Sequence, residues 1–283
     1  MINRPRVALV GDVGLRTPHF GCQLVGQAFR EQFARVGLNL IYTLPSRLEI
    51  IADWKRRLSE VDLVVINGEG SIHHGRFQSL INLASEYPCA LVNCVYQANP
   101  ENKNLNKFKW ISCRESMSAK EIRNQGIDCK VVPDVLFVSS FLRSFVPLET
   151  RMRKIGYTDC AEKEVKKIGP LKISYRIGFS PKTKKVSDYL NFLALHERMA
   201  VGRFHAAVCC SVMGIPFAAW DSNTWKIEGL MHDMKVPSLH FKSRREALSN
   251  VPADFPHEVL DFRASAMNRI ESMFNCLADI ARD

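Results

Sequence analysis

Apolar and polar positions along this chain follow two periods. Short β-branched runs alternate with longer stretches in which apolar residues recur every three or four positions. "RVALVGD" (6–12) predicts a strand, and residues 22–36 predict a helix with Leu24, Val25, Phe29 and Phe33 on one face. "NLIYTL" (39–44), "VDLVVIN" (61–67) and "CALVNCV" (89–95) predict further strands, with helices at 47–59 and 77–86 between them. "KWISC" (109–113), a helix at 117–125 closed by Gly126, and "CKVVPD" (129–134) complete the first half. Apolar strands separated by helices imply a parallel sheet covered on both faces.

Residues 141–170 break the pattern: they are charged, weakly periodic and contain Pro147 and Pro170. Alternation resumes with "KISYRIG" (172–178), a helix at 186–196, "RMAVG" (198–202), a helix at 203–213 and "PFAAW" (216–220). A helix at 225–234, "SLHF" (238–241), a helix at 243–249 and a long final helix at 261–281 follow. The expected organisation is an N-terminal Rossmann-like domain (1–140), a basic linker (141–170), and a smaller C-terminal Rossmann-like domain (171–283) carrying the final helix.

Composition narrows the class. The chain has 283 residues, 46% hydrophobic and 24% charged, which suits a folded α/β protein rather than a disordered one. The formal net charge is +10, and residues 143–185 hold 12 Lys/Arg against 4 Asp/Glu, an excess of 12 − 4 = +8. That segment suits a solvated linker, an anionic substrate or peripheral contact with an anionic inner membrane face. It lacks the aromatic interleaving of a nucleic-acid module, so no nucleic acid is expected as partner. The nine cysteines are odd in number, scattered and without a CxxC pair. They read as buried thiols in a reducing compartment, not as disulfides or structural zinc ligands. The N-terminal apolar core is too short for a signal peptide, and the longest run free of Asp, Glu, Lys, Arg and His, Ala206 to Trp220, has 15 residues, short of a membrane span. A soluble cytoplasmic protein is the expectation.

Three blocks carry candidate chemistry, each at a strand's carboxyl end, where open α/β sheets bind ligands. The first is "VINGEGSIHHG" (65–75). Gly68 and Gly70 would let backbone approach a ligand, N–H groups up to Ser71 could form an anion nest, and Glu69, His73 and His74 are proton-transfer candidates. The bland reading is a tight strand-to-helix turn with exposed histidines. The block is neither a P-loop nor a GxGxxG turn. The second block is "VGRFHAAVCCSVMGIPFAAWDSNTWKIEGL" (201–230). Arg203 and His205 stand where a strand turns into a helix, and Ser222, Asn223 and Lys226 follow the next strand likewise. Helix N-termini and these side chains suit a phosphate or carboxylate; solvated cations and a capping histidine are the bland alternative. In the third block, "SCRESMSAKEIRNQGIDCKVVPD" (112–134), Arg114 ends a strand, Ser116 is the expected N-cap and Asp134 ends the next strand. Simple turn chemistry explains that block equally well. No metal site is expected: HxxE and HExxH spacings are absent, and His73 and His74 would point to opposite faces of a regular strand.

Together and in this order, the three blocks resemble the polysaccharide pyruvyl transferase family. "NGEGSIHH" matches its Gly-rich acidic loop, residues 112–134 its "R…S…L…G…PD" block, and residues 202–230 its "R-x-H" helix start followed by "G-x-P" and a lysine. The match departs at the turn after the first strand, usually "GN-x-GDE"-like. Here it reads "PHFGCQ", with Cys22 where an aspartate would stand. The resemblance implies two Rossmann-type domains in the arrangement called GT-B. It also implies transfer of the enolpyruvyl unit of phosphoenolpyruvate onto two hydroxyls of a sugar, leaving a pyruvate ketal, with no metal or other cofactor. The acceptor would be a bacterial surface polysaccharide or its lipid-linked oligosaccharide precursor. Arg203, Lys226 and Arg114 would hold the anionic donor, His205 would protonate its methylene carbon, and Glu69, His73 or His74 would deprotonate the sugar. A GT-B glycosyltransferase with a nucleotide-sugar donor would use the same cations and helix ends. A non-catalytic anion-binding module is the remaining class.

Overall fold

The computed structural model describes residues 4–15, 19–70, 72–147, 153–160 and 185–283. The chain divides into two compact units, Met1–Thr17 with Val25–Val138 and Ala266–Asp283, and Pro18–Leu24 with Ser139–Ser265.

In unit 1, six strands form one sheet in the order β2-β1-β3-β4-β5-β6. They are β1 (Arg6–Val10), β2 (Asn39–Leu44), β3 (Leu63–Asn67), β4 (Cys89–Cys94), β5 (Trp110–Cys113) and β6 (Lys130–Val131), and every pairing is parallel. Every residue of β3 and β4 is buried, as expected of strands covered on both faces. The covering helices include α1 (Phe20–Arg35), α2 (Trp54–Ser59), α3 (Gln78–Asn82) and α4 (Ser116–Arg123). Leu24, Val25, Phe29 and Phe33 of α1 are all buried, as its apolar stripe predicts. Phe29 and Phe33 stack edge-on with Phe274 of the final helix. The helix expected over 47–59 forms only from Trp54, after a single 3₁₀ turn at Leu48–Ile50.

Among the described residues, unit 2 holds a four-stranded parallel sheet in the order β10-β9-β8-β7. Its strands are β7 (Arg153–Cys160), β8 (His196–Gly202), β9 (Phe217–Trp220) and β10 (His240–Phe241). Helices α5 (Ser140–Arg143), α6 (Val186–Ala194), α7 (Phe204–Met213), α8 (Lys226–Asp233) and α9 (Arg244–Ser249) accompany them. Nine consecutive residues of α7, Phe204 to Val212, are buried, so it runs through the interior. Cys160, Ala200, Ala218, Trp220, Ala247 and Val251 form a core cluster.

The last helix, α10 (His257–Ile280), begins four residues before its expected start, and its residues from Ala266 onward belong to unit 1 rather than to unit 2. Residues 153–160, expected inside a linker, are β7, paired in parallel with β8. The strand expected at 172–178 lies outside the described residues. All nine cysteines are free thiols, eight of them buried. No helix among the described residues is long and apolar enough to cross a membrane.

Candidate active site

In unit 1 the strand order reverses between β1 and β3, the kind of switch point at which open α/β sheets bind ligands. Gly11 follows β1 with φ +87°, and a Cβ there would lie 2.5 Å from the Asn67 carbonyl oxygen. Only glycine lets these two strand ends meet. The Asn67 amide then organises the turn. Its Nδ2 donates to the Gly11 carbonyl and to Glu69 Oε2, both at 3.4 Å. Its Oδ1 accepts from the Glu69 backbone N–H at 3.3 Å and from Asn93 Nδ2 at 3.2 Å. Glu69 is thereby buried and held in place.

Asp12, which the sequence pattern did not single out, stands beside it. This buried carboxylate accepts from Arg30 Nη2 and from the Gly14 N–H, each at 3.0 Å. Burial pushes its pKa up, Arg30 and Gly14 pull it down, and the Glu69 charge adds to the rise. Two neighbouring carboxylates at a switch point are suited to proton transfer. No motif marks Asp12, because a lone Asp after a strand is ordinary turn chemistry.

The rest of the Gly-rich block differs from its sequence reading. A Cβ on Gly68 would lie 2.7 Å from Cys94 Sγ and 2.9 Å from its Cα, so this glycine serves close packing of the chain on β4. Gly70 has φ +57° and open space around it. Ser71 lies outside the described residues. His73 and His74 are not on a regular strand. His74 takes a left-handed backbone, φ +53°, which turns its ring back so that the two Nδ1 atoms are 2.9 Å apart. The expectation of opposite faces is thus corrected, and at most one of those nitrogens carries a hydrogen.

Arg114 and Asp134 pair with each other. Arg114 Nη1 meets Asp134 Oδ2 at 3.0 Å, with side chains only 2% and 0% exposed. The anion-binding reading of Arg114 therefore meets a structural alternative. The N-cap of α4 is Glu115, whose carboxylate accepts from the Ser118 N–H at 2.9 Å; Ser116 is the first helical residue, not the cap.

In unit 2 the strand ends carry the second block. Arg203 is the N-cap of α7, and its guanidinium grips Asp159, at the end of β7, through Nε at 3.0 Å and Nη2 at 2.7 Å. His205, in the first turn of α7, is buried. Lys226 Nζ, at the start of α8, donates to Asn223 Oδ1 at 2.6 Å, and Ser222 Oγ lies 3.3 Å from the same oxygen. Trp220 Nε1 and Thr224 Oγ1 are buried without a hydrogen-bond partner among the described residues, a cost that a ligand or water would relieve.

The first turn of α1 completes the group. His19 Nδ1 lies 3.4 Å from the Cys22 backbone nitrogen and 3.3 Å from Cys22 Sγ, and the His19 ring stands edge-on to His205 with centroids 5.8 Å apart. Burial, then the charges of His205, Arg203 and Lys226, hold the His19 pKa down at about 3, so this imidazole is neutral at ordinary pH. Sequence reasoning had noted Cys22 only as a departure. The His19–Cys22 spacing was visible, but their approach to His205 was not.

The polysaccharide pyruvyl transferase family model matches residues 19–223, a span that opens on His19 and closes on Asn223. This chain belongs to that family. Its members are transferases, and the matched span contains the first and third blocks whole and the second block as far as Asn223. No curated protein matches the chain. Among solved structures, a functionally uncharacterised protein from Klebsiella pneumoniae subsp. pneumoniae NTUH-K2044 is similar in fold, with a TM-score of 0.59 at 14% identity, covering 84% of this chain and 94% of that one.

In this family member the group in unit 2 depends on one small residue. A Cβ on Gly21 would lie 2.2 Å from His205 Nδ1 and 2.5 Å from His205 Cβ. A clash reaching His205 Cβ cannot be relieved by rotating the ring alone. Gly21→Ala is therefore expected to destabilise the protein by about 1–3 kcal/mol, the usual cost of overpacking. A lowered denaturant midpoint with unchanged slope would show it; an unchanged midpoint would mean that His205 does not pack against this turn.

Proposed function

We propose that this transferase moves the pyruvyl unit of phosphoenolpyruvate onto two hydroxyls of a sugar in a bacterial surface polysaccharide or its lipid-linked precursor. The observation that carries the reading is the convergence in unit 2 of His205, His19, Arg203 and Lys226 at strand ends and helix starts, with buried donors left over on Trp220 and Thr224. The donor carries a phosphate and a carboxylate, both matched by cations and helix N-termini.

A proton from His205 adds to the methylene carbon, and the first sugar oxygen bonds to the adjacent carbon and gives up its proton to a base. The second sugar oxygen then bonds to that carbon, phosphate leaves with its bonding electron pair, and the second hydroxyl proton is released. One ketal and one inorganic phosphate result. Lys226, with Ser222 and Asn223, holds the anionic donor. Two of the five N–H donors of Arg203 are committed to Asp159, so Arg203 fixes the start of α7 as well as contributing charge. Glu69, His73 and His74 are the base candidates that the family resemblance implies. An anionic membrane face would suit the basic segment 143–185 as the place where a lipid-linked acceptor is met.

Melting curves test the donor. A ligand that binds only the native state stabilises it by about 2.7 kcal/mol at one hundred times its Kd. Phosphoenolpyruvate is expected to raise the melting temperature, and nucleotide sugars are not. The reverse result would favour a glycosyltransferase and overturn the reading.

A further inference from the structure

We propose that His19, Cys22 and His205 form a binding site for a soft or borderline divalent cation of the zinc class. One ligand atom from each of the three residues lies within 4.8 Å of the others. Two of the donors are imidazoles and the third is a sulfur, a set that suits zinc and its neighbours and is foreign to magnesium or calcium. Tetrahedral zinc, with bonds of about 2.0–2.3 Å, needs its ligand atoms roughly 3.3–3.6 Å apart. Cys22 Sγ and His19 Nδ1 already stand at 3.3 Å, so small side-chain rotations close the site.

The surroundings bear on it as well. Cys22 lies in the first turn of the 16-residue α1, and of the two cations that act on His19, Arg203 and Lys226, the first is matched by Asp159. Gly21, where a Cβ would strike the His205 ring, is what allows a residue far along the chain to reach this turn. Three protein ligands leave a fourth position open, the arrangement of a catalytic or exchangeable site rather than a closed structural one. The spacing His-x-x-Cys followed by a distant histidine is neither CxxC nor HExxH, which is why the sequence patterns for metal sites passed over it.

The inference does not depend on the identity of the donor. It adds to the transfer reading one consequence: an ion held by His205 takes that side chain out of proton transfer, so the ion acts as an inhibitor.

Cobalt(II) is the probe. The full chain, reduced and stripped of metal with a chelator, is expected to bind one equivalent of cobalt(II), with a thiolate-to-cobalt charge-transfer band and the intense visible bands of four-coordinate cobalt. Zinc(II) should displace it. Cys22→Ser should abolish the charge-transfer band, while His19→Asn and His205→Asn should each weaken binding by more than the ~10–100-fold that loss of an outer-shell partner costs. Cys276→Ser, at the one cysteine that is not buried, should change nothing. Absence of a stoichiometric cobalt complex in the wild-type chain, or a charge-transfer band that survives Cys22→Ser, overturns the proposal. The wild-type spectrum and His19→Asn decide the matter even if one variant folds poorly. Metal binding is read by absorption and donor binding by melting, so failure of one proposal is not confused with failure of the other.

Discussion

His205→Asn is expected to lower the turnover of the metal-free enzyme by about 10²–10⁴-fold, the usual worth of a positioned proton transfer. The substitution keeps the size of the side chain and one hydrogen-bonding group, and it removes the titratable ring. His205 is buried at the first turn of α7 with its ring edge-on to His19, so its orientation is set by packing and not by solvent. Donor affinity should change little, because the proposed anion contacts are made by Lys226 and the helix ends and not by His205. The measurement is turnover with phosphoenolpyruvate and a sugar acceptor, alongside the donor-induced melting shift. A near-normal rate with an intact shift would make His205 a packing residue and not the general acid. Arg203→Ala is not a clean companion variant. It would leave Asp159, whose side chain is 5% exposed, without its bidentate partner, and a stability loss would be mixed with any loss of binding.

The sheet strands were legible where burial is complete. "LVVIN" and "CALVNC" are apolar throughout because both faces of the sheet are covered, and no loop composition imitates that. β7 was missed for the opposite reason. Its first three residues are exposed, and it begins Arg-Lys inside the most basic part of the chain. Such a charge run reads as a solvated linker. The cap of α4 shows competition between two acceptors: Ser116 has the better propensity, but the buried Glu115 takes the position and bonds the Ser118 N–H.

The candidate site was legible as three blocks and not as contacts. Strand-end logic singled out Arg203, His205 and Lys226 as candidates, since each follows a recognisable run. It could not pair Arg203 with Asp159, because that carboxylate sits on the strand the pattern hid. Nor could it foresee the left-handed His74, which brings two imidazoles together where a regular strand would separate them. Long-range neighbours such as His19 and His205 leave no periodic trace, and the spacing of His19 and Cys22 gains meaning only once a third donor stands against it.

Asp134→Asn is expected to destabilise the protein by about 3–5 kcal/mol, the cost of leaving a buried charge without its partner. Arg114 is among the largest fully buried side chains of the protein, and its guanidinium meets Asp134 at 3.0 Å. Asp134 has a second duty, accepting the Leu136 N–H through Oδ1 at 3.0 Å, which orders the turn after β6. An amide can still accept one bond, but it cannot neutralise the cation. Against a total stability of about 5–15 kcal/mol for an ordinary domain, that loss is a large fraction. A paired apolar replacement, Arg114→Met with Asp134→Leu, removes both charges and should recover much of the loss, because buried ion pairs often contribute little net stability over well-packed apolar groups. Urea midpoints of the wild type, the single variant and the double variant give the comparison. The double variant should also keep the donor-induced melting shift. If it loses that shift while remaining folded, Arg114 contacts the donor, and the anion-binding reading of the third block returns. If Asp134→Asn costs less than about 1 kcal/mol, the level of an exposed pair, then the Arg114 charge is compensated elsewhere and the pair does not hold this end of the sheet.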